Sequence, residues 1–205
     1  MENYADLMFT PSVAAAQSEA GTRELYAEKY PGRTKPGLGP DERAFLESRT
    51  SIYMATLSET GWPYIQHRGG PSGFLKVLDE ETVGFADYRG NRQFITKGNL
   101  QGNDRVSLFA MDYPHQARLK LQGHATMIEA GDDPSLAERL TTPGTGRVER
   151  LTTIRIVAFD WNCPQFITPR YTQDEVTALV APALAERDRK IEDLTQRLSA
   201  LGEIP

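Results

Sequence analysis

Between residues 51 and 161 the chain is a succession of short stretches that alternate apolar and polar residues, separated by turn residues. Period-two alternation puts successive side chains on opposite faces of an extended backbone, so each stretch reads as a half-buried strand. Six or more such strands with only peripheral helices restrict the fold to a small β-barrel. SIYMATLS from Ser51 is the first, and Glu59-Thr60-Gly61 turns the chain back into a hairpin partner at 64–68. A strand pair follows at 74–79 and 82–86, then helical character over 92–101 and a buried strand at 105–111. The long alternating stretch 117–130 contains Gly123, which suits a kinked barrel strand. A short helix opened by Asp133-Pro134 and a last strand at 152–161 complete the set.

The flanks are helical. Ser12 is a candidate N-cap for a helix reaching about Tyr30, with Gly21 as a break, and Asp41 and Glu42 favour the start of a short helix over 41–48. Thr172 caps a helix running to about Leu201. Along it Leu184, Arg187, Ile191, Leu194, Leu198 and Leu201 alternate spacings of three and four, a short heptad seam. The seam suits either the helix's own barrel or another subunit. Three segments are expected: 1–50 helical and packed on the barrel, 51–171 the barrel, and 172–205 the helix.

Composition narrows function by exclusion. At 205 residues, 39% apolar and 25% charged, the chain has material for one core with appendages. A net charge of −5 gives no global field for nucleic acid. No apolar run nears the roughly 20 residues of a membrane span, and the acidic N-terminus lacks an apolar leader core. The lone Cys163 forms no internal disulfide and reads as a packed thiol; a cytoplasmic location is the expectation. His67, His115 and His124 show no metal spacing, so no metal is expected. PGTGRVER near Gly144 lacks the Lys-Ser/Thr of a phosphate loop and reads as a turn.

Two polar clusters interrupt the strands: Gln66-His67-Arg68-Gly69-Gly70 and Asp87-Tyr88-Arg89-Gly90-Asn91-Arg92-Gln93. Arg beside Gly brings a bidentate guanidinium and open backbone N–H groups to one place, which suits a phosphate. Arg92 is expected to open a helix, adding the dipole and free N–H groups of its N-terminus. Arg68, Arg89 and Arg92 are therefore candidate anion contacts. His67 reads as a ligand donor or as a hydrogen-bonded strand residue. Tyr113 and Trp161 suit stacking on a flat ligand or packing in the core. Asp87 and Asp112 at strand ends also suit turns.

The stretch GWPYIQHRGGPSGFLKVLDEETVGFADYRGNRQFITKGNLQGNDRVSLFAMDY resembles the flavin-binding core of the pyridoxamine 5′-phosphate oxidase-like split-barrel family. FTPSVAAAQSEAGTRELYAEKY and FDWNCPQFITPRY resemble a bacterial subgroup described as predicted flavin-nucleotide-binding proteins. The resemblance implies a six-stranded Greek-key split barrel, a homodimer, and FMN at the subunit interface. It places Gln66, His67 and Arg68 beside the flavin, and Ala86, Asp87, Asn91, Arg92 and Gln93 on its ribityl and phosphate. Tyr113 and Trp161 are implied as contacts from the second subunit. Family oxidases usually carry Ser-Arg-Lys where this chain has Asn91-Arg92-Gln93, so one phosphate charge is missing. Their substrate-holding C-terminal Trp and Arg have no counterpart here, which argues against pyridoxamine phosphate oxidation. The expected function is an FMN-dependent oxidoreductase using a reduced nicotinamide donor and a small acceptor, with no catalytic residue assigned. The alternative is a non-catalytic flavin-binding, redox-sensing or partner-binding dimer. A deazaflavin or haem in place of FMN stays open.

Overall fold

The computed structural model describes residues 1–30, 37–143, 146–161 and 165–202. Cys163 and the Gly144 turn fall outside these residues. The described chain separates into two compact units: Met1–Asp112 with Ala117–Gln165, and Tyr113–Gln116 with Phe166–Pro205.

The first unit is built on one antiparallel sheet. Its strands are β1 (Ser51–Leu57), β2 (Pro63–Gly69), β3 (Lys76–Val77), β4 (Thr82–Tyr88), β5 (Arg105–Asp112), β6 (Ala117–Glu129) and β7 (Val148–Trp161), in the order β2-β1-β5-β6-β7-β4-β3. Alternation does what the sequence pattern requires. On β1 Ile52 and Met54 are buried, and on β5 Val106, Leu108 and Ala110 are. These pack in one cluster with Val83 and Phe85 of β4, Leu119 and Leu121 of β6, and Ile154 and Ile156 of β7. Strands near both ends of the order thus share one core, so the sheet curls round it as a split barrel. Arg68 of edge strand β2 donates to Asp87 of β4 at 2.9 Å across that curl.

The curl has a local cause in β6. The β6–β7 register shifts between Gln122 and Gly123, so β7 carries an extra residue there. A Cβ on Gly123 would lie 2.5 Å from the Arg155 carbonyl oxygen and 2.9 Å from the Ile154 side chain. Backbone cannot yield as a side-chain tip does. Gly123→Ala is therefore expected to cost about 1–3 kcal/mol, read by denaturant unfolding. A loss under about 0.5 kcal/mol would mean that the bulge relaxes freely.

Helices lie at the periphery: α1 (Tyr4–Met8), α2 (Pro11–Glu19), α3 (Arg23–Lys29), α4 (Pro40–Glu47), α5 (Ile95–Gly102) and α6 (Pro134–Leu140). The N-cap of α2 is Thr10 rather than Ser12, because Pro11 takes the first helical position. Gly21, at φ 67°, separates α2 from α3 as expected. The strand expected at 74–79 shrinks to two residues, while β7 begins four residues before the expected Thr152. The Glu42 carboxylate of α4 accepts from the Trp161 indole at 2.7 Å, and Phe45 meets the same ring edge-on. Helix α6 covers the outer face of β4 and β7, burying Leu140 with Ala86 and Leu151.

In the second unit, α7 (Gln173–Ala200) starts in a capping box between Thr172 and Glu175. Every residue along it is exposed. In the same unit the Gln116 side-chain amide donates to the Ile167 carbonyl at 2.6 Å, and the Arg170 guanidinium lies 4.9 Å from the Tyr113 ring centroid. Among the described residues no helix is long and apolar enough to cross a membrane.

Candidate functional site

The polar clusters meet because of strand parity. On β2, Tyr64, Gln66 and Arg68 point to one face and Ile65 and His67 to the other. On β4, Asp87 continues the core-facing side of Val83 and Phe85 beyond the apolar cluster. On β7, Arg150 extends the side that carries Thr152, Ile154 and Ile156. These polar ends open into a cleft of about 310 Å³ whose rim is the 90–97 segment leading into α5.

That segment differs from expectation. Arg92 and Phe94 both hold left-handed backbone, at φ 59° and 56°. Helix α5 starts at Ile95, three residues after Arg92, so Arg92 stands before the helix rather than in its first turn. A bulky residue held left-handed costs about 1–3 kcal/mol, a strain found where surroundings dictate the backbone. Those surroundings are visible. The Arg150 guanidinium lies 5.2 Å from the Phe94 ring centroid. The Asn91 side chain accepts from the Gln93 N–H at 3.2 Å. Thr96 donates to Gln66 at 3.0 Å, and the Asn99 amide donates to Thr56 at 2.9 Å, tying α5 to β2 and β1. The first N–H groups of α5 have no intrahelical acceptor, and Ile95, Thr96 and Lys97 line the cleft.

The cleft is cationic on an acidic chain. Arg68, Arg92, Lys97 and Arg150 line it, against one carboxylate, Asp87. Asp87 bridges two of these cations, with Arg68 at 2.9 Å and Arg150 at 2.8 Å. The Arg68 Nε is buried and makes no hydrogen bond among the described residues. Arg92 pairs at 2.7 Å with Glu149, and that hydrogen bond holds the Glu149 carboxyl below the ordinary glutamate range. A depressed carboxyl keeps its partner above the unfolded pKa and releases it as pH falls through the folded one. At neutral pH Glu149 therefore occupies Arg92. Glu149→Gln is expected to tighten anion binding several-fold at pH 7 and to flatten its change in acid below the ordinary glutamate range, where Glu149 would release Arg92, read by phosphate titration. Unchanged affinity would mean that Arg92 is not an anion contact.

Of the residues singled out in the sequence, Gln66, Arg68, Asp87, Asn91, Arg92 and Gln93 line the cleft together. His67 sits on the opposite face of β2, edge-on to Tyr53 at 5.7 Å. The Ala86 side chain is buried under α6. Trp161 is held by α4, and Tyr113 belongs to the second unit. Arg89 is exposed, at 4.0 Å from Glu149. Lys97 and Arg150 escaped the sequence reading. Arg150 was legible, since the alternation of β7 carried back from Thr152 reaches it. Lys97 had no such signal, because its facing depends on where α5 begins. Among the described residues no group of His, Cys, Asp or Glu is placed to hold a metal.

A curled antiparallel barrel with a cationic cleft between β2, β4 and a helix start defines a split-barrel protein. The family model described as pyridoxamine 5′-phosphate oxidase matches residues 38–151, more than half of the chain and every residue of the cleft lining. The chain belongs to that family. No curated protein matches it. Among solved structures, HupZ of Group A Streptococcus aligns with a TM-score of 0.50 at 15% identity, covering 65% of this chain and 99% of that one. A protein of Lactobacillus delbrueckii named for pyridoxamine 5′-phosphate oxidase gives 0.48 at 18%, covering 62% and 96%. One from Syntrophomonas wolfei named as FMN-binding gives 0.44 at 11%, covering 73% and 97%. At such identities the first of these supports the fold alone.

Proposed function

We propose that the cleft binds FMN and that the chain is an FMN-dependent oxidoreductase, drawing electrons from a reduced nicotinamide and passing them to a small acceptor. The observation that carries this reading is the excess of cations in the cleft of a chain with net charge −5, at the start of α5. Arg92 and Lys97, with the open N–H groups of α5, would hold the phosphate. Lys97 supplies the charge that Gln93 lacks. Asn91 and Gln93 offer donors to the ribityl hydroxyls. Gln66 and Arg68 line the same cleft where a ring system would rest. Ala86 contributes through its backbone, since its side chain is buried.

The flavin supplies hydride chemistry when bound, and the protein supplies position and charge. A homodimer belongs to the same reading. A cleft of about 310 Å³ is at the small end for a cofactor, which suits a groove completed by a second chain. The outer face of β1 and β2 exposes Tyr53, Leu57 and Ile65, with Trp62 at the turn, an apolar surface for that contact. His67 lies on this face, and Tyr113 and Trp161 are assigned to the flavin of the second subunit.

The test is the visible spectrum of the purified protein, with mass identification of any released chromophore, then anaerobic addition of NADH or NADPH. Flavin bands, released FMN and bleaching by either donor are expected. A colourless protein that takes up no FMN would overturn the cofactor. Bound flavin bleached by neither donor would leave a non-catalytic flavin-binding, redox-sensing or partner-binding dimer. A deazaflavin spectrum or a haem band would replace FMN.

A further inference from the structure

We infer that residues 184–201 of α7 pair with the same segment of a second copy as a parallel two-stranded coiled coil. The observation behind this is a helix of 28 residues with none buried. It exposes Leu184, Ile191, Leu194, Leu198 and Leu201, by 44%, 53%, 45%, 37% and 73%. Five large apolar side chains in one line on an exposed helix need a cover.

The width of the line says what kind of cover. With Leu184, Ile191 and Leu198 at position a, position d takes Arg187, Leu194 and Leu201. The flanking e and g positions after Pro182 are Asp188, Lys190, Thr195 and Arg197 apart from Ala183, and the outer positions include Glu186, Arg189, Glu192 and Asp193. A helix lying on a globular core carries an apolar face three positions wide, whereas a seam confined to a and d matches one neighbouring helix. Pro182 stands inside α7 and removes a hydrogen bond from the turn before it, so the regular seam begins at Leu184.

The seam also says which helix. Within a parallel coiled coil, Ile at a with Leu at d favours two strands over three or four, as Ile191 and Leu194 provide. Arg187, at a d position, bonds its own neighbour Asp188 at 2.6 Å. In a parallel pair the d side chain packs against the e position of the partner, which in a second copy is again Asp188. Each Arg187 thus gains a carboxylate at its own layer from an identical chain. Parallel pairing sets Lys190 towards Thr195 and brings the two Arg187 side chains into one layer, where each lies beside the other chain's Asp188. Antiparallel pairing sets Lys190 towards Arg197, which repels.

Cysteine crosslinking of the full chain tests this. In a Cys163→Ser background, Leu194→Cys and Leu201→Cys place thiols in d layers, and Glu192→Cys places one on the outer face. Mild oxidation is expected to give a covalent dimer from each seam variant roughly tenfold faster than from the outer one, because paired helices hold thiols at an effective concentration near millimolar. Two seam positions guard against one substitution loosening the pair. Equal rates at all three positions, or no dimer from either seam variant, would overturn the proposal. So would a dimer formed only between Arg187→Cys and Leu198→Cys chains, which requires antiparallel helices. Flavin content, measured on the same samples, reports separately on the cleft, so either reading can fail alone.

Discussion

Asp87→Ala is expected to destabilise the protein by about 3–5 kcal/mol, a fall in Tm of roughly 6–20 °C. Asp87 is the one carboxylate between two guanidiniums, Arg68 on β2 and Arg150 on β7. All three side chains are mostly buried, at 14%, 14% and 10% exposure, so solvent screens them little. Removing the carboxylate leaves two like charges facing each other without the dielectric that would reduce their repulsion. It also unties β2 from β4 across the curl of the barrel. Chemical unfolding at pH 7 reads the effect. Arg68→Met added to Asp87→Ala should recover part of the loss, because it removes one of the stranded charges. A loss below about 1 kcal/mol for Asp87→Ala would show that water replaces the carboxylate and that the cluster does not close the barrel.

These pairings mark the limit of what the sequence discloses. Alternation is a local property, so β1, β2, β5 and the kink at Gly123 were legible from period and turn residues alone. The capping residues Asp133 and Thr172 were legible for the same reason: each acts on backbone within three residues of itself. Arg68 and Arg92 were also legible as polar residues that meet in one cleft. Their partners were not, because Asp87 lies 19 residues from Arg68 and 63 from Arg150, and only the curl of the sheet unites them. The start of α5 was missed for another reason. Propensity gives no cause to place Arg92 and Phe94 in left-handed backbone. Tertiary contacts impose it, through Glu149 on Arg92 and Arg150 on Phe94. The same displacement hid Lys97, whose facing follows from the true helix start.

Arg92→Ala is expected to weaken FMN binding by roughly 10- to 100-fold, the worth of a charge-assisted contact to phosphate. Lys97→Ala should cost less, near the lower figure, because exposure and an acidic partner at 2.7 Å are common to both residues but only the Arg92 guanidinium can hold a phosphate in bidentate fashion. Binding is read by quenching of flavin fluorescence, with Arg189→Ala on α7 as a control that should change nothing. Riboflavin separates the causes. It has the same ring and ribityl chain but no phosphate, so neither variant should change its affinity if both residues act on phosphate. The preference for FMN over riboflavin should then shrink by the same factor as FMN binding itself. Added salt should weaken FMN in the parent protein more than in either variant, since each removed cation is one fewer charge to screen. Equal losses for the two ligands would mean that Arg92 and Lys97 only shape the rim of the cleft, and the phosphate would have to be sought at Arg68 and Arg150. Glu149→Gln carries the opposite sign, because it frees Arg92 where Arg92→Ala deletes it. A cleft in which those two substitutions moved FMN affinity in the same direction would not be a phosphate site centred on Arg92.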